Sequence, residues 1–164
     1  MIKDSGDRRE FESGAVRDCA EGKGRCDLLP LYEVSLVLGA EMKTLHYDPI
    51  IRKLDDFTKA KTEGERIDIL VDICNVFIGV NDWDVQTAML EVSKHFEEGA
   101  KKYDERNWEK GIPTHCYLDS AIRHFIKWER GDDDEPHDRA FLWNILCLMW
   151  TIRNKPEFDD LKGE

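Results

Sequence analysis

The feature that most limits the fold is an apolar stripe of helical period that returns along the chain. Ala88, Val92, Phe96, Gly99 and Tyr103 follow one another at spacings of three and four, as residues on one face of an α-helix do. Leu118, Ile122, Phe125 and Ile126 repeat the pattern in a following segment of about 115–130. From Ala140 to Ile152 the chain is almost continuously apolar, broken by Asn144. That run is about thirteen residues, too short for a hydrocarbon layer of roughly 30 Å, so it reads as a buried helix. Upstream, Ile67, Leu70, Val71, Cys74 and Phe77 or Ile78 form a third stripe, Ile50, Ile51, Leu54 and Phe57 a weaker one, and Leu31, Val34 and Leu38 a short one. No segment alternates as a strand does. Six helices joined by short turns predict an all-α protein, a compact helical bundle.

Breakers and caps divide the stripes. Gly39 closes the first helix, and Pro49 suits the first turn of the second. Glu63, Glu65 and Asp68 favour the positive end of the third, and Asp82 or Asp84 caps the fourth, spanning about 84–104. Gly111 and Pro113 separate it from the fifth, Gly131 ends that one, and Pro136 opens the sixth, which reaches about Thr151. Residues 1–30 lack a steady period and are expected to form an extended N-terminal arm outside the core, either open or laid across a pocket or a neighbouring subunit through Phe11 and Val16. Residues 31–153 form the single helical domain, and 154–164 a polar, frayed tail.

A chain of 164 residues with 41% apolar content suits one domain. Its net charge of −11 disfavours duplex DNA and anionic membranes as partners. A small anionic ligand stays open, because a few cations gathered in a cleft reverse the local field. The five cysteines form no CxxC pair, and Cys74 and Cys147 fall inside apolar runs as small core residues. The charged opening Met1–Glu10 has no apolar segment of the secretory kind, which predicts a cytoplasmic protein.

Positive charge and aromatic rings gather where the fourth helix ends. Lys101, Lys102, Arg106 and Lys110 surround Tyr103 and Trp108 in an otherwise acidic chain. Charged donors suit phosphate oxygens and aromatic faces suit a base, so the segment 103–111 is the leading nucleotide contact, with Asn107 able to read a base edge or cap the turn. The alternative is that the rings are core anchors and the lysines surface. Glu91, His95, Glu98 and Lys102 share one face of the fourth helix, so Glu91 and Glu98 could hold Mg²⁺ on a triphosphate or simply form ion pairs. Asp132 and Asp134 in the acidic turn 132–135 are further metal candidates, or a solvated charge run. His124 and Trp128 lie four apart on the fifth helix, and His137 and Asn144 two turns apart on the sixth. Lys23 and Arg25 flank a glycine, a plausible phosphate or subunit contact that lacks the P-loop spacing.

These segments carry a resemblance. Lys23-Gly24-Arg25-Cys26-Asp27-Leu28-Leu29-Pro30, Glu98-Gly99-Ala100-Lys101-Lys102-Tyr103, Arg106-Asn107-Trp108-Glu109-Lys110-Gly111, Arg123-His124, Trp128, His137 and Trp143-Asn144 together resemble the phage and prophage dATP/dGTP diphosphohydrolase-type domain, relatives of the MazG-like pyrophosphohydrolases. By that resemblance residues 31–86 look like an insertion found in some members. The resemblance implies purine deoxynucleotide handling: Lys23, Arg25, Lys101, Lys102, Tyr103, Arg106, Asn107, Trp108, Trp128 and Asn144 at the nucleotide, His124 and His137 as polar or proton-transfer groups, and Mg²⁺ on Glu91, Glu98, Asp132 and Asp134. The carboxylates depart from the MazG-like pattern, since no third carboxylate follows Glu97-Glu98 three residues on. Two functions therefore stay open: a diphosphohydrolase releasing pyrophosphate, or a non-catalytic sponge that sequesters a purine-based signalling nucleotide against host defence. In either case a homo-oligomer is expected, acting in the cytoplasm of the host if the chain is phage-encoded.

Overall fold

The structure, a computed structural model, describes residues 6–19, 23–41 and 48–161. Six helices build it: α1 (Leu31–Glu41), α2 (Pro49–Lys59), α3 (Glu63–Val80), α4 (Val85–Lys102), α5 (Thr114–Arg130) and α6 (His137–Asn154). The protein is all-α apart from one small hairpin. Local chemistry sets the ends. The Asp48 carboxylate accepts from the N–H groups of Ile50 and Ile51, with Pro49 as the first helical residue of α2. Thr62 and Glu65 form a reciprocal capping box at α3, and Asp84, rather than Asp82, caps α4 by accepting from Thr87 N–H. Gly131 ends α5 in the left-handed conformation, where a side chain would be strained. Pro136 stands one residue before α6, so it fixes the approach to that helix instead of occupying its first turn.

The apolar stripes meet in one core. α5 and α6 pack along their lengths, and α3 joins them through Phe77, whose ring lies 4.4 Å from Phe141, 4.9 Å from Trp128 and 6.3 Å from Phe125. Fully buried Ile51, Leu54, Leu70, Ile122, Ile145 and Leu148 fill the space between them. Burying such side chains contributes about 1.5–3 kcal/mol each. Cys74 and Cys147 are buried free thiols, and burial pushes the Cys74 thiol up to about 12. Among the described residues no helix is long and apolar enough to cross a membrane.

The N-terminal arm is laid across a pocket, one of the arrangements left open for it, and carries a short hairpin. Arg8–Glu10 (β1) and Val16–Asp18 (β2) pair antiparallel, with Arg9 opposite Arg17. The turn between them is closed by Phe11 N–H to Ala15 O at 2.9 Å, and Ala15 is fully buried. Strands of three residues are too short to show alternation in a sequence. The tail departs from expectation. Past α6 the chain turns at Pro156–Phe158 and returns to the bundle, where the buried Arg66 side chain of α3 forms a two-pronged ion pair with Asp159. Thr114 Oγ1 donates to Asp159 at 3.0 Å as well, tying the tail to the start of α5.

Candidate functional site

The hairpin lies over a cavity of about 560 Å³ bounded by α4, α5, α6 and the loop 103–112. That is a size typical of small-molecule sites. Aromatic and apolar groups line one part: Phe11, Phe96, Trp108, Ile112 and Trp143. Cationic groups gather in another, with Lys23, Arg25, Arg123 and Lys127 from the 23–25 segment and α5.

Arg17 of β2 reaches into this space. One guanidinium nitrogen donates to Ser120 Oγ of α5 at 3.0 Å and to Asn144 Oδ1 of α6 at 3.1 Å. The guanidinium stands 5.1 Å from the Tyr117 ring and 5.8 Å from Trp143. Its second terminal nitrogen, Nη1, is buried without a hydrogen-bond partner, and so are His95 Nδ1 and Trp143 Nε1. A buried polar atom left unpaired costs about 1–3 kcal/mol. All three belong to residues that line the cavity, and native structures leave few such buried atoms unpaired.

The hairpin is held from both sides. Asn107 accepts from Val16 N–H and donates to Val16 O, each at 2.8 Å, so its amide serves as a strand partner for β2. Asp18 accepts from Lys102 at 2.7 Å and from the Tyr103 hydroxyl at 2.9 Å. Burial pushes the Asp18 carboxyl up, but those two bonds outweigh it and hold the group below its ordinary value. On α5, buried Asp119 accepts from Arg123 and from Cys26 N–H, while Arg123 Nη2 donates to Gly24 O at 3.1 Å. The arm thus supplies a wall of the cavity.

At the far end of α5 the histidines meet. His124 Nδ1 lies 3.0 Å from His137 Nδ1, and His137 Nε2 lies 2.8 Å from an oxygen of Asp134. The His137 bond holds the Asp134 carboxyl down at about 2, so Asp134 is an acceptor and His137 Nε2 carries the proton. Burial drives the His124 ring well below its ordinary value, and the adjacent His137 adds to this, so His124 is neutral.

Of the residues expected at a nucleotide, Lys23, Arg25, Tyr103, Arg106, Asn107, Trp108 and Asn144 line the cavity, as do His124, expected in proton transfer, and Asp134, expected at a metal. The structure brings in others differently. Lys102 secures the hairpin through Asp18, and Lys101 pairs with Glu97 on the exposed side of α4. Trp128 packs in the core against Phe77 and Phe125 and does not line the cavity; its indole points toward α3 although it shares a helix face with His124. Of the four carboxylates proposed for Mg²⁺, Asp132 and Asp134 come together beside His137, but Glu91 and Glu98 do not join them. Glu91 pairs with Lys94, Asp132 with Arg130, and neither of these two nor Glu98 lines the cavity. Sequence reasoning missed Arg17, Ser120 and Asp119. The arm's motif was visible at Lys23–Pro30, but nothing local marks Arg17, because its partners lie 103 and 127 positions away.

The fold and site define a class: a helical bundle with an aromatic and cationic cleft lined in part by its own N-terminal hairpin. Comparison with known families gives the chain's own family. A sequence model described as dATP/dGTP diphosphohydrolase, N-terminal, matches residues 58–161, more than half of the chain, and the chain belongs to that family. The matched segment runs from the end of α2 through the tail and contains α4, α5 and α6. Comparisons with curated proteins and with solved structures returned no match.

Proposed function

We propose that the chain binds a purine deoxynucleoside triphosphate in the cavity beneath the hairpin and hydrolyses it to the monophosphate and pyrophosphate. The observation that carries the reading is the set of unpaired buried atoms, Arg17 Nη1, His95 Nδ1 and Trp143 Nε1, around one cavity with aromatic walls. A purine offers ring-nitrogen acceptors and an exocyclic group to such donors, and a π-face to Trp108 or Trp143. The triphosphate would extend toward Lys23, Arg25, Arg123 and Lys127; the last three are paired with Asp27, Asp119 and Asp134 and would have to share those carboxylates' hydrogen bonds with phosphate. In the reaction a water oxygen attacks the α-phosphorus and the bond to the α–β bridging oxygen breaks. Mg²⁺ carried by the triphosphate would neutralise the charge that develops there.

A second reading is favoured by the dispersal of Glu91, Glu98 and Asp132 outside the cavity: a binder that sequesters a purine nucleotide and leaves it intact. One experiment separates the two. The protein is incubated with a panel of purine and pyrimidine nucleotides with and without Mg²⁺, and bound and free fractions are analysed by mass spectrometry. Conversion of dATP or dGTP to monophosphate supports hydrolysis. Intact ligand recovered after denaturation supports sequestration. Failure of every purine nucleotide to bind removes both. Arg17→Ala should weaken binding by roughly 10- to 100-fold, the value of a charged hydrogen bond.

A further inference from the structure

We propose that His124, Glu135 and His137 form a binding site for a borderline divalent transition metal of the zinc class, with an open coordination position on the cavity. Three atoms define it. His124 Nδ1 and His137 Nδ1 are 3.0 Å apart, and Glu135 Oε1 lies 3.7 Å from the first and 3.8 Å from the second. A triangle with those sides has a circumscribed radius of about 2.05 Å, so one point in its plane, or slightly above it, sits about 2.1 Å from all three atoms, the length of zinc–imidazole and zinc–carboxylate bonds.

The 3.0 Å between the two rings also suits a hydrogen bond from His124 to the His137 Nδ1 lone pair, so it is the carboxylate that points to a shared ion. A carboxylate hydrogen-bonded to an imidazole would stand near 2.8 Å, as Asp134 does on the other side of His137, whereas Glu135 Oε1 stays beyond hydrogen-bond reach of both rings. Asp134 has the role of an outer carboxylate. By accepting from His137 Nε2 it fixes the neutral tautomer whose Nδ1 lone pair faces His124 and Glu135, the usual arrangement behind a metal-bound histidine. Each element contributes for a stated reason: α5 carries His124, α6 begins with His137, and the turn ended by Pro136 presents Glu135 between them.

Two nitrogens and one oxygen select the ion. Mg²⁺ prefers an all-oxygen octahedron and keeps its water, while imidazole suits Zn²⁺, Co²⁺ and their neighbours. Three protein ligands with a free position are the pattern of catalytic rather than structural zinc sites. His124 and Glu135 line the cavity, and His137 is buried behind them, so the free position faces the space assigned to the nucleotide. What enters it, water or a phosphate oxygen, rests on the reading given under Proposed function; the ion site itself does not.

The test is metal binding without nucleotide. Protein stripped with a chelator is titrated with ZnCl₂ by calorimetry and with CoCl₂ by visible absorption, whose intensity reports a low-coordinate nitrogen and oxygen environment. One ion per chain is expected, with Zn²⁺ undisplaced by millimolar Mg²⁺. His124→Ala and Glu135→Gln should each weaken zinc binding roughly 100-fold or more, and Asp134→Asn about 10- to 100-fold, as outer-sphere changes do. Glu91→Gln on α4 should leave zinc affinity unchanged. Both His124 and Glu135 are partly exposed, so these variants should fold, which circular dichroism checks. Unchanged zinc affinity in His124→Ala and Glu135→Gln, or no zinc binding by the parent protein, overturns the proposal. Nucleotide binding by the stripped protein is measured separately, so zinc binding without nucleotide binding keeps the site while removing the functional reading.

Discussion

His95 is buried where α4 passes beneath the cavity, with its ring 5.6 Å from Trp143. Burial lowers its pKa to about 4; the Glu98 charge opposes this, and those of Arg139 and Arg17 add to it. In the unfolded chain the imidazole returns to about 6.5, so between these values the unfolded state binds a proton that the folded state does not. Stability is therefore full above about pH 6.5 and falls as the pH drops toward 4, by a difference on the order of 3 kcal/mol. Urea unfolding at pH 7 and pH 4.5 should show a smaller acid loss in His95→Gln than in the parent; equal losses would assign the acid sensitivity elsewhere. Gly111 is a second residue with a definite constraint. Its φ of +114° lies in the left-handed half of the map, and a Cβ there would run into the Phe158 ring of the tail. Gly111→Ala should cost about 1–3 kcal/mol, combining backbone strain with displacement of Phe158, seen as a lower melting temperature.

At the scale of elements, the helices were legible because their signals are local: the apolar stripes repeat every three or four residues, and Pro49, Glu65, Asp84 and Gly131 each act within four residues of the end they mark, whereas the caps Asp48 and Thr62 are visible only in the structure. The hairpin and tail were not, since both are held by distant partners. β2 has Asn107 as its side-chain anchor, 91 residues away, and the tail has Arg66, 93 residues away. The site divides the same way. The loop 103–111 announced itself by charge and rings, and the His124–His137 meeting needs the turn between α5 and α6 to fold. Asn107→Ala removes both bonds to Val16, worth about 1 kcal/mol each. It should raise hydrogen exchange at Val16 and Arg17 while leaving α3 and α6 protected, and should weaken nucleotide binding about tenfold or more. Unchanged exchange would mean that the Arg17 and Asp18 contacts hold the hairpin without Asn107. Arg66→Ala leaves Asp159 buried without its countercharge, a change that typically costs about 3–5 kcal/mol. Chemical denaturation should show that loss, far above the near-zero effect expected for the exposed Lys101–Glu97 pair.

For the whole molecule the decisive contrast is between a net charge of −11 and a cavity whose lining carries Arg9, Arg17, Lys23, Arg25, Arg106, Arg123 and Lys127 against five carboxylates. A triphosphate approaching from solution meets the repulsion of the whole chain first and the attraction of the cavity last. The two ranges respond differently to salt. At about 0.01 M the screening length is roughly 30 Å, comparable with the protein's own width, and at about 0.15 M it is roughly 8 Å, so added salt removes the long-range repulsion. Contacts inside the cavity are partly buried and are screened much less. The association rate of a purine triphosphate should therefore rise by about two- to threefold between these ionic strengths, contrary to the steep fall of a protein that steers anions with a basic surface. Stopped-flow quenching of the cavity indoles of Trp108 and Trp143 measures it directly. A rate that falls with salt would mean that the field of the cavity's cations extends beyond its mouth and outweighs the acidic surface, and that capture of the anion begins outside the hairpin.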